Sequence, residues 1–163
     1  MNKCMSFFVL AATLSLMSFA PAKEEPISKV IDRGLKVSTE QAIQMAKVLE
    51  NQEGKLPKSI KDGKLETGTW SWWCCGFFPG ELWYLYENTH SPELKKYAEM
   101  YTKRVEKVQY ITNSHDVGFM LYCSYGNGYR ITKDPAYKQV LLNGANSLST
   151  RYNPMIKAIR SWD

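Results

Sequence analysis

Polar and apolar positions fall into helical registers from Lys36 onward. Ser38-Thr39-Glu40-Gln41 has the form of a capping box, and Ile43, Ala46 and Leu49 follow at helical spacing. Ser91-Pro92 opens a second helix, with a hydroxyl at the cap and Pro at the first helical position, where its missing N–H costs nothing. The apolar stripe of that helix is Leu94, Tyr97, Ala98, Tyr101, Val105 and Val108. Asp134-Pro135 repeats the same start ahead of Val140, Leu141, Ala145 and Leu148. Each of these two helices is preceded by an aromatic one, GELWYLYENT and then VGFMLYCSYGNGYR. NQEGKLPKSIKDGKLET reads as a polar loop punctuated by Gly and Pro, and Pro79-Gly80 as the break between loop and helix. No segment shows the sustained alternation of a strand.

The spacing from Pro92 to Pro135 is about 43 residues, one helix-pair period. A repeat of a buried inner helix and an amphipathic outer helix predicts an all-α fold, either an α/α toroid or a helical solenoid. The chain holds between two and three such hairpins. A closed ring of six needs on the order of 250 residues or more. The expectation is therefore the N-terminal part of a longer helical domain, ending at IRSWD without a helix stop signal.

Composition changes this picture only at the N-terminus. Met1-Asn2-Lys3, the apolar run SFFVLAATLSLMSFA and the small residues Ala20-Pro21-Ala22 have the layout of a signal peptide, residues 1–22. That leaves 23–163 as the folded part and predicts a periplasmic or secreted protein. The apolar run is too short for a membrane span, so none is expected after cleavage. The net charge of +5 comes from bases interleaved with acids, as in ELKKYAEMYTKRVEK, which makes a solvated helix face and gives no nucleic-acid stripe. Cys74, Cys75 and Cys123 read as packing thiols, with one disulfide from Cys74 or Cys75 to Cys123 left open. Their spacing is unlike a zinc site, and no metal is expected.

Two constellations can carry chemistry. TWSWWCCGFFPGELWYLYENT crowds aromatic rings around two glycines; such rings fill cores, and they also stack on the apolar faces of sugars. SHDVGF places the one His-Asp pair of the chain before an aromatic helix. Asp116 can simply favour that helix's N-terminus, with His115 an ordinary hydrogen-bonded ring. Alternatively, an aromatic setting where burial favours the protonated form of a carboxyl would make Asp116 a general acid. Arg130 lies too far along the helix for a catalytic role. The glycines of GNGYR lack phosphate-loop spacing, and no serine sits in a nucleophile elbow.

Three ordered motifs, GFFPGELWYLY, HDVGF and SYGNGYRITKDPAYKQVLLNGANSL, resemble the unsaturated glucuronyl hydrolases of glycoside hydrolase family 88. The resemblance runs from about residue 30 to the end. It implies part of an (α/α)6 barrel, incomplete in this chain. The implied activity removes the 4,5-unsaturated glucuronic acid left by polysaccharide lyases at the non-reducing end of oligosaccharides. An aspartic acid protonates C4 of the enol ether, water adds at C5, and the hemiketal opens to release the aglycone. Neither a metal nor an organic cofactor is implied, and the partners are unsaturated uronic-acid oligosaccharides. Carried over position by position, Asp116 is the catalytic acid/base and His115 helps form the uronate pocket. Trp162 is a sugar contact, and Trp70 a further candidate for the same role. Cys75 stands where the family commonly has serine. A second aspartate and the residues gripping the uronate carboxylate are expected beyond Asp163, so the chain alone is expected to be inactive and unstable. A non-catalytic helical-repeat module and a rhamnogalacturonyl hydrolase are the alternative readings.

Overall fold

The computed structural model describes residues 25–161. Residues 1–22 and Trp162 therefore lie outside the described residues. The elements in chain order are α1 (Ile27–Leu49), β1 (Leu56–Lys61), β2 (Lys64–Gly68), α2 (Phe77–Thr89) and α3 (Pro92–Arg104). After a 3-10 turn at Glu106–Tyr110 come α4 (Val117–Leu121), a π-helical turn (Tyr122–Gly126), α5 (Asn127–Thr132), α6 (Pro135–Ser149), β3 (Tyr152–Asn153) and β4 (Ala158–Ile159). The architecture is that of helical hairpins, α2 with α3 and α4–α5 with α6, as the periodicity predicts. Among the described residues no helix is long and apolar enough to cross a membrane.

Both predicted helix starts are present. The Ser91 side chain accepts from Leu94 N–H, that of Asp134 accepts from Ala136 N–H, and a proline follows each. The whole predicted stripe of α3 and its extension, from Leu94 to Val108, is buried. In α6 the buried face is Val140 and Gly144, and Ala145 points to solvent. Gly144 sits directly against Leu121 of α4: a Cβ there would meet Leu121 Cδ1 and force that side chain to move.

Four local expectations are corrected. First, α1 begins at Ile27, and Ser38 to Gln41 lie mid-helix. Nothing between Ile27 and Lys36 breaks the helical phase, so the ladder continues through the hydroxyls. The Thr39 hydroxyl is left buried without a partner. Second, the supposed polar loop holds a hairpin, with β1 antiparallel to β2. Asp62 and Gly63 both take positive φ, 49° and 70°, as a type I′ turn requires. Solvent reaches most of both faces, so no alternation marks the strands; Leu56 alone is buried. Third, Pro79 and Gly80 lie inside the first turns of α2, which starts at Phe77. Proline fits there because first-turn amides have no intrahelical acceptor. Fourth, β3 and β4 pair through Tyr152 with Ile159 and Asn153 with Ala158, a second short hairpin.

The core runs between the hairpins. Trp83, fully buried, donates its indole N–H to Thr102 Oγ1 at 2.8 Å. Tyr101 donates to the Ala46 carbonyl at 2.7 Å and meets Phe78 edge-on at 4.9 Å. Arg104 donates to the carbonyls of Leu49, Glu50 and Lys55. It thereby satisfies the C-terminal end of α1, where a cation also suits the helix dipole.

Glycine governs how closely α2 meets the following inner helix. A Cβ at Gly80 would stand 2.5 Å from the Cys123 carbonyl oxygen, and one at Gly76 would collide with the Met120 carbonyl. Backbone therefore packs on backbone. The π turn frees carbonyls that α-helical bonds would have used, and side chains take them up. Ser124 Oγ donates to Met120 O at 2.8 Å, and Asn127 Nδ2 donates to Cys123 O at 2.9 Å. Gly128 makes room for Tyr137 and Trp83 in the same way.

Among the described residues the cysteines, Cys74, Cys75 and Cys123, are free thiols. Cys75 packs in the core at 1% exposure, whereas Cys74 and Cys123 are half-buried. Burial pushes the Cys75 thiol up to about 12, with Cys74 and Cys123 adding smaller contributions.

Gly80→Ala is expected to destabilise the protein by about 1–3 kcal/mol. Its clash with a carbonyl outweighs the roughly 1 kcal/mol that alanine contributes to helix propensity. Gly118→Ala, where open space surrounds the position, should be neutral or stabilising by up to about 1 kcal/mol. Denaturant unfolding of the pair checks the contrast. Thr102→Val should cost about 1–3 kcal/mol in the same assay by leaving the Trp83 indole N–H buried without an acceptor. Iodoacetamide at pH 8 should leave Cys75 unmodified in the folded protein and label it on unfolding, because the buried thiol stays neutral; peptide mass mapping reads the difference.

Candidate active site

Asp116 is the residue immediately before α4, and its helical φ and ψ continue into that helix. It does not cap the helix: its side chain makes no bond to the first-turn amides. This disposes of the simple capping role. The residue is instead 9% exposed and its carboxyl faces two neighbours. Ser114 Oγ lies 3.4 Å from Oδ2 and accepts from the Asp116 amide at 3.1 Å. His115 Nε2 lies 3.4 Å from Oδ1. The other ring nitrogen of His115, Nδ1, is 2.7 Å from the Ser161 carbonyl. Burial, and after it the Asp116 charge, push the Cys74 thiol up from its ordinary value, which puts that thiol within electrostatic reach of the carboxyl.

An exposed aromatic row flanks this pair. Trp73 meets Phe77 edge-on at 5.9 Å, and Phe77 meets Phe119 at 6.2 Å. These rings are 50%, 43% and 55% exposed, large values for aromatics beside a buried carboxyl. The row joins two open grooves. One, of about 610 Å³, runs between α1, the β1–β2 hairpin and α2, and is lined by Trp72, Cys74, Phe77 and Glu81 among others. Burial raises the Glu81 carboxyl above its ordinary value there. The second, of about 640 Å³, contains His115, Phe119, Tyr122, Tyr84 and Arg130.

The structure brings together His115 and Asp116, as the sequence reading requires. Trp70 packs half-buried against the hydrophobic cluster and does not line the His115 groove. Arg130 does reach that groove, although its backbone is remote. Its guanidinium forms a two-pronged pair with Glu87 at 2.5 and 2.7 Å and lies 5.7 Å from the Tyr84 ring centre. Phe119 and Tyr122 are groove-lining residues that sequence reasoning missed, whereas Phe77 lies in the aromatic run it had singled out. For Phe119 and Tyr122 the signal was spacing: they stand three apart along one helical segment and are both exposed. A row of exposed rings beside a buried acid suits a ligand with apolar ring faces and a protonatable atom.

No family model matches the chain. Among curated proteins, the unsaturated glucuronyl hydrolase of Formosa agariphila is 42% identical over 92 residues, which is 56% of this chain and 23% of that protein. The unsaturated chondroitin disaccharide hydrolase of Streptococcus pneumoniae is 31% identical over 98 residues, 55% of this chain and 24% of that protein. A crystal structure of an unsaturated glucuronyl hydrolase specific for heparin superposes with a TM-score of 0.71 at 42% identity, covering 81% of this chain and 36% of that one. The chain thus spans about a quarter of the curated relatives it matches and about a third of the solved chain. The shared fold is the array of helical hairpins of an (α/α)6 barrel, of which the described residues form an incomplete part. With its hairpins superposing on a solved glucuronyl hydrolase and about half of its length aligned with curated ones, the chain is similar to part of the unsaturated glucuronyl hydrolases.

Proposed function

We propose that the full-length protein is a glycoside hydrolase that removes a 4,5-unsaturated glucuronic acid from the non-reducing end of lyase-generated oligosaccharides, with Asp116 as its general acid. The observation that carries this reading is the setting of Asp116. Asp116 is buried, its Oδ1 lies 3.4 Å from the His115 ring, and His115 lines a groove together with the exposed rings of Phe119 and Tyr122. A carboxyl in that position can pass a proton to a substrate atom bound in the groove. The relatives acting on heparin and chondroitin fragments support the substrate class.

The chemistry follows from an enol ether. Asp116 delivers its proton to C4, and positive charge develops at C5, stabilised by the ring oxygen. Water adds at C5 and returns a proton to the carboxylate. The resulting hemiketal opens, releasing the aglycone and a 4-deoxy-5-keto-uronic acid. His115 borders the uronate pocket, while Trp162 is assigned to sugar contact. The Trp73–Phe77–Phe119 row supplies further faces for the sugar rings. Residues 1–22 are assigned as a signal peptide, making the protein periplasmic or secreted.

Asp116→Asn in the full-length protein should lower kcat by about 10²- to 10⁴-fold, the usual scale of a lost general acid, with unchanged circular dichroism. Decay of the ultraviolet absorbance of the C4=C5 bond, with unsaturated chondroitin and heparin disaccharides, measures it. Full turnover by the variant would remove Asp116 from the mechanism, and turnover confined to rhamnose-linked disaccharides would move the protein to the rhamnogalacturonyl hydrolases. Phe119→Ala should raise KM severalfold with a smaller effect on kcat, since its ring is exposed and its loss leaves no core cavity.

A further inference from the structure

We propose that Arg151 is a positioning residue for Asp116, acting through the Ser161 carbonyl and the ring of His115. The inference rests on the reading of Asp116 as the general acid.

Arg151 follows α6 and is 9% exposed. Its guanidinium joins three backbone carbonyls from two separate segments. Nε donates to Arg160 O at 2.9 Å, Nη1 to Thr112 O at 2.9 Å and Nη2 to Ser161 O at 3.0 Å. The planar fork fixes the directions of these bonds, which a flexible ammonium would not. The β3–β4 hairpin closes the same unit, with the Arg160 amide donating to Arg151 O at 2.9 Å. Residues 160–161 are thereby held against the segment that leads from Thr112 into His115 and Asp116.

The Ser161 carbonyl held in this way is the partner of His115 Nδ1, at 2.7 Å. A carbonyl oxygen only accepts, so Nδ1 carries the hydrogen. The opposite tautomer would set a nitrogen lone pair against an oxygen lone pair at that distance. In the neutral ring Nε2 then has its lone pair on the side of Asp116 Oδ1, 3.4 Å away. The ring is thereby held with Nε2 facing the Asp116 carboxyl, in the geometry for exchanging a proton with it. Which nitrogen is protonated depends on the bond made by the other, and here Arg151 fixes that bond.

The test is the ring tautomer, a property that a merely structural role for Arg151 would leave unchanged. In the full-length protein, at a pH where the ring is neutral, long-range nitrogen–proton spectra should show His115 as the Nδ1–H tautomer. Its signal is identified by its disappearance in His115→Gln. In Arg151→Gln and Arg151→Lys, with circular dichroism unchanged, the Nε2–H tautomer should gain population severalfold, less so for Lys. The kcat should fall roughly tenfold to a hundredfold, the scale of a misplaced catalytic group, with KM changing less than about twofold. An Nε2–H ring in the wild-type protein overturns the inference without any variant. An unchanged ring in whichever of the two variants folds overturns it as well. If the tautomer shifts but Asp116→Asn keeps full turnover, the positioning chain stands and the reading of Asp116 as general acid fails, so the two are separable.

Discussion

The structure depends on one close approach, the backbone of α2 against the carbonyls of the following inner helix. Gly76 and Gly80 stand one turn apart, and a side chain at either would enter the space of a carbonyl oxygen. That approach sets the distance between the two inner helices. It also explains why the second of them carries a π turn, whose displaced carbonyls Ser124 and Asn127 satisfy from their own side chains. The glycines of GFFPG and the polar residues of SYGNG are parts of one packing solution. Since α4 is anchored this way, Phe119 meets Phe77, and Asp116 at its start has a fixed place beside them.

Two buried or half-buried arginines organise the loops. Arg104 satisfies the carbonyl end of α1, and Arg151 ties the β3–β4 hairpin to the segment before Asp116. Each serves backbone acceptors that would otherwise lose water without gaining a partner, a cost of about 1–3 kcal/mol per group. The surface pairs are of a different kind. Lys95 with Glu99 and Lys47 with Glu93 are about half exposed, so solvent screening leaves them contributing little to the fold. The interleaved charge of α3 therefore serves solubility more than fold.

The candidate site places unlike demands on neighbouring residues. Trp83, Tyr101 and Tyr125 serve the core and are buried, whereas Trp73, Phe77, Phe119 and Tyr122 from the same aromatic segments remain open. Composition alone does not separate these two sets. Tertiary packing does: Tyr122 and Tyr125 stand three apart in the π-helical turn, yet the first is open and the second buried. Asp116 falls on the boundary between them, buried enough to lose most of its water and near enough to the open row to meet a ligand.

The sequence by itself determined the helical hairpins, both Ser- and Asp-capped prolines, the stripe from Leu94 to Val108 and the His115–Asp116 pair. Each of these rests on interactions between residues a few positions apart, which spacing and side-chain chemistry express directly. The same local reasoning mistook the Ser38 box for a helix start, because a capping box is a signal only where the helix would otherwise end. It overlooked the β1–β2 hairpin, whose exposed faces carry no alternation. Only the tertiary structure decided that Ala145 faces out and Gly144 in, that Trp70 packs on the core, and that the Arg130 side chain enters the groove of His115. Residues 151 and 161 reach His115 across more than thirty positions of chain, through carbonyl groups that every residue possesses. Backbone acceptors leave no mark in a sequence, so that network is visible only once the chain has folded.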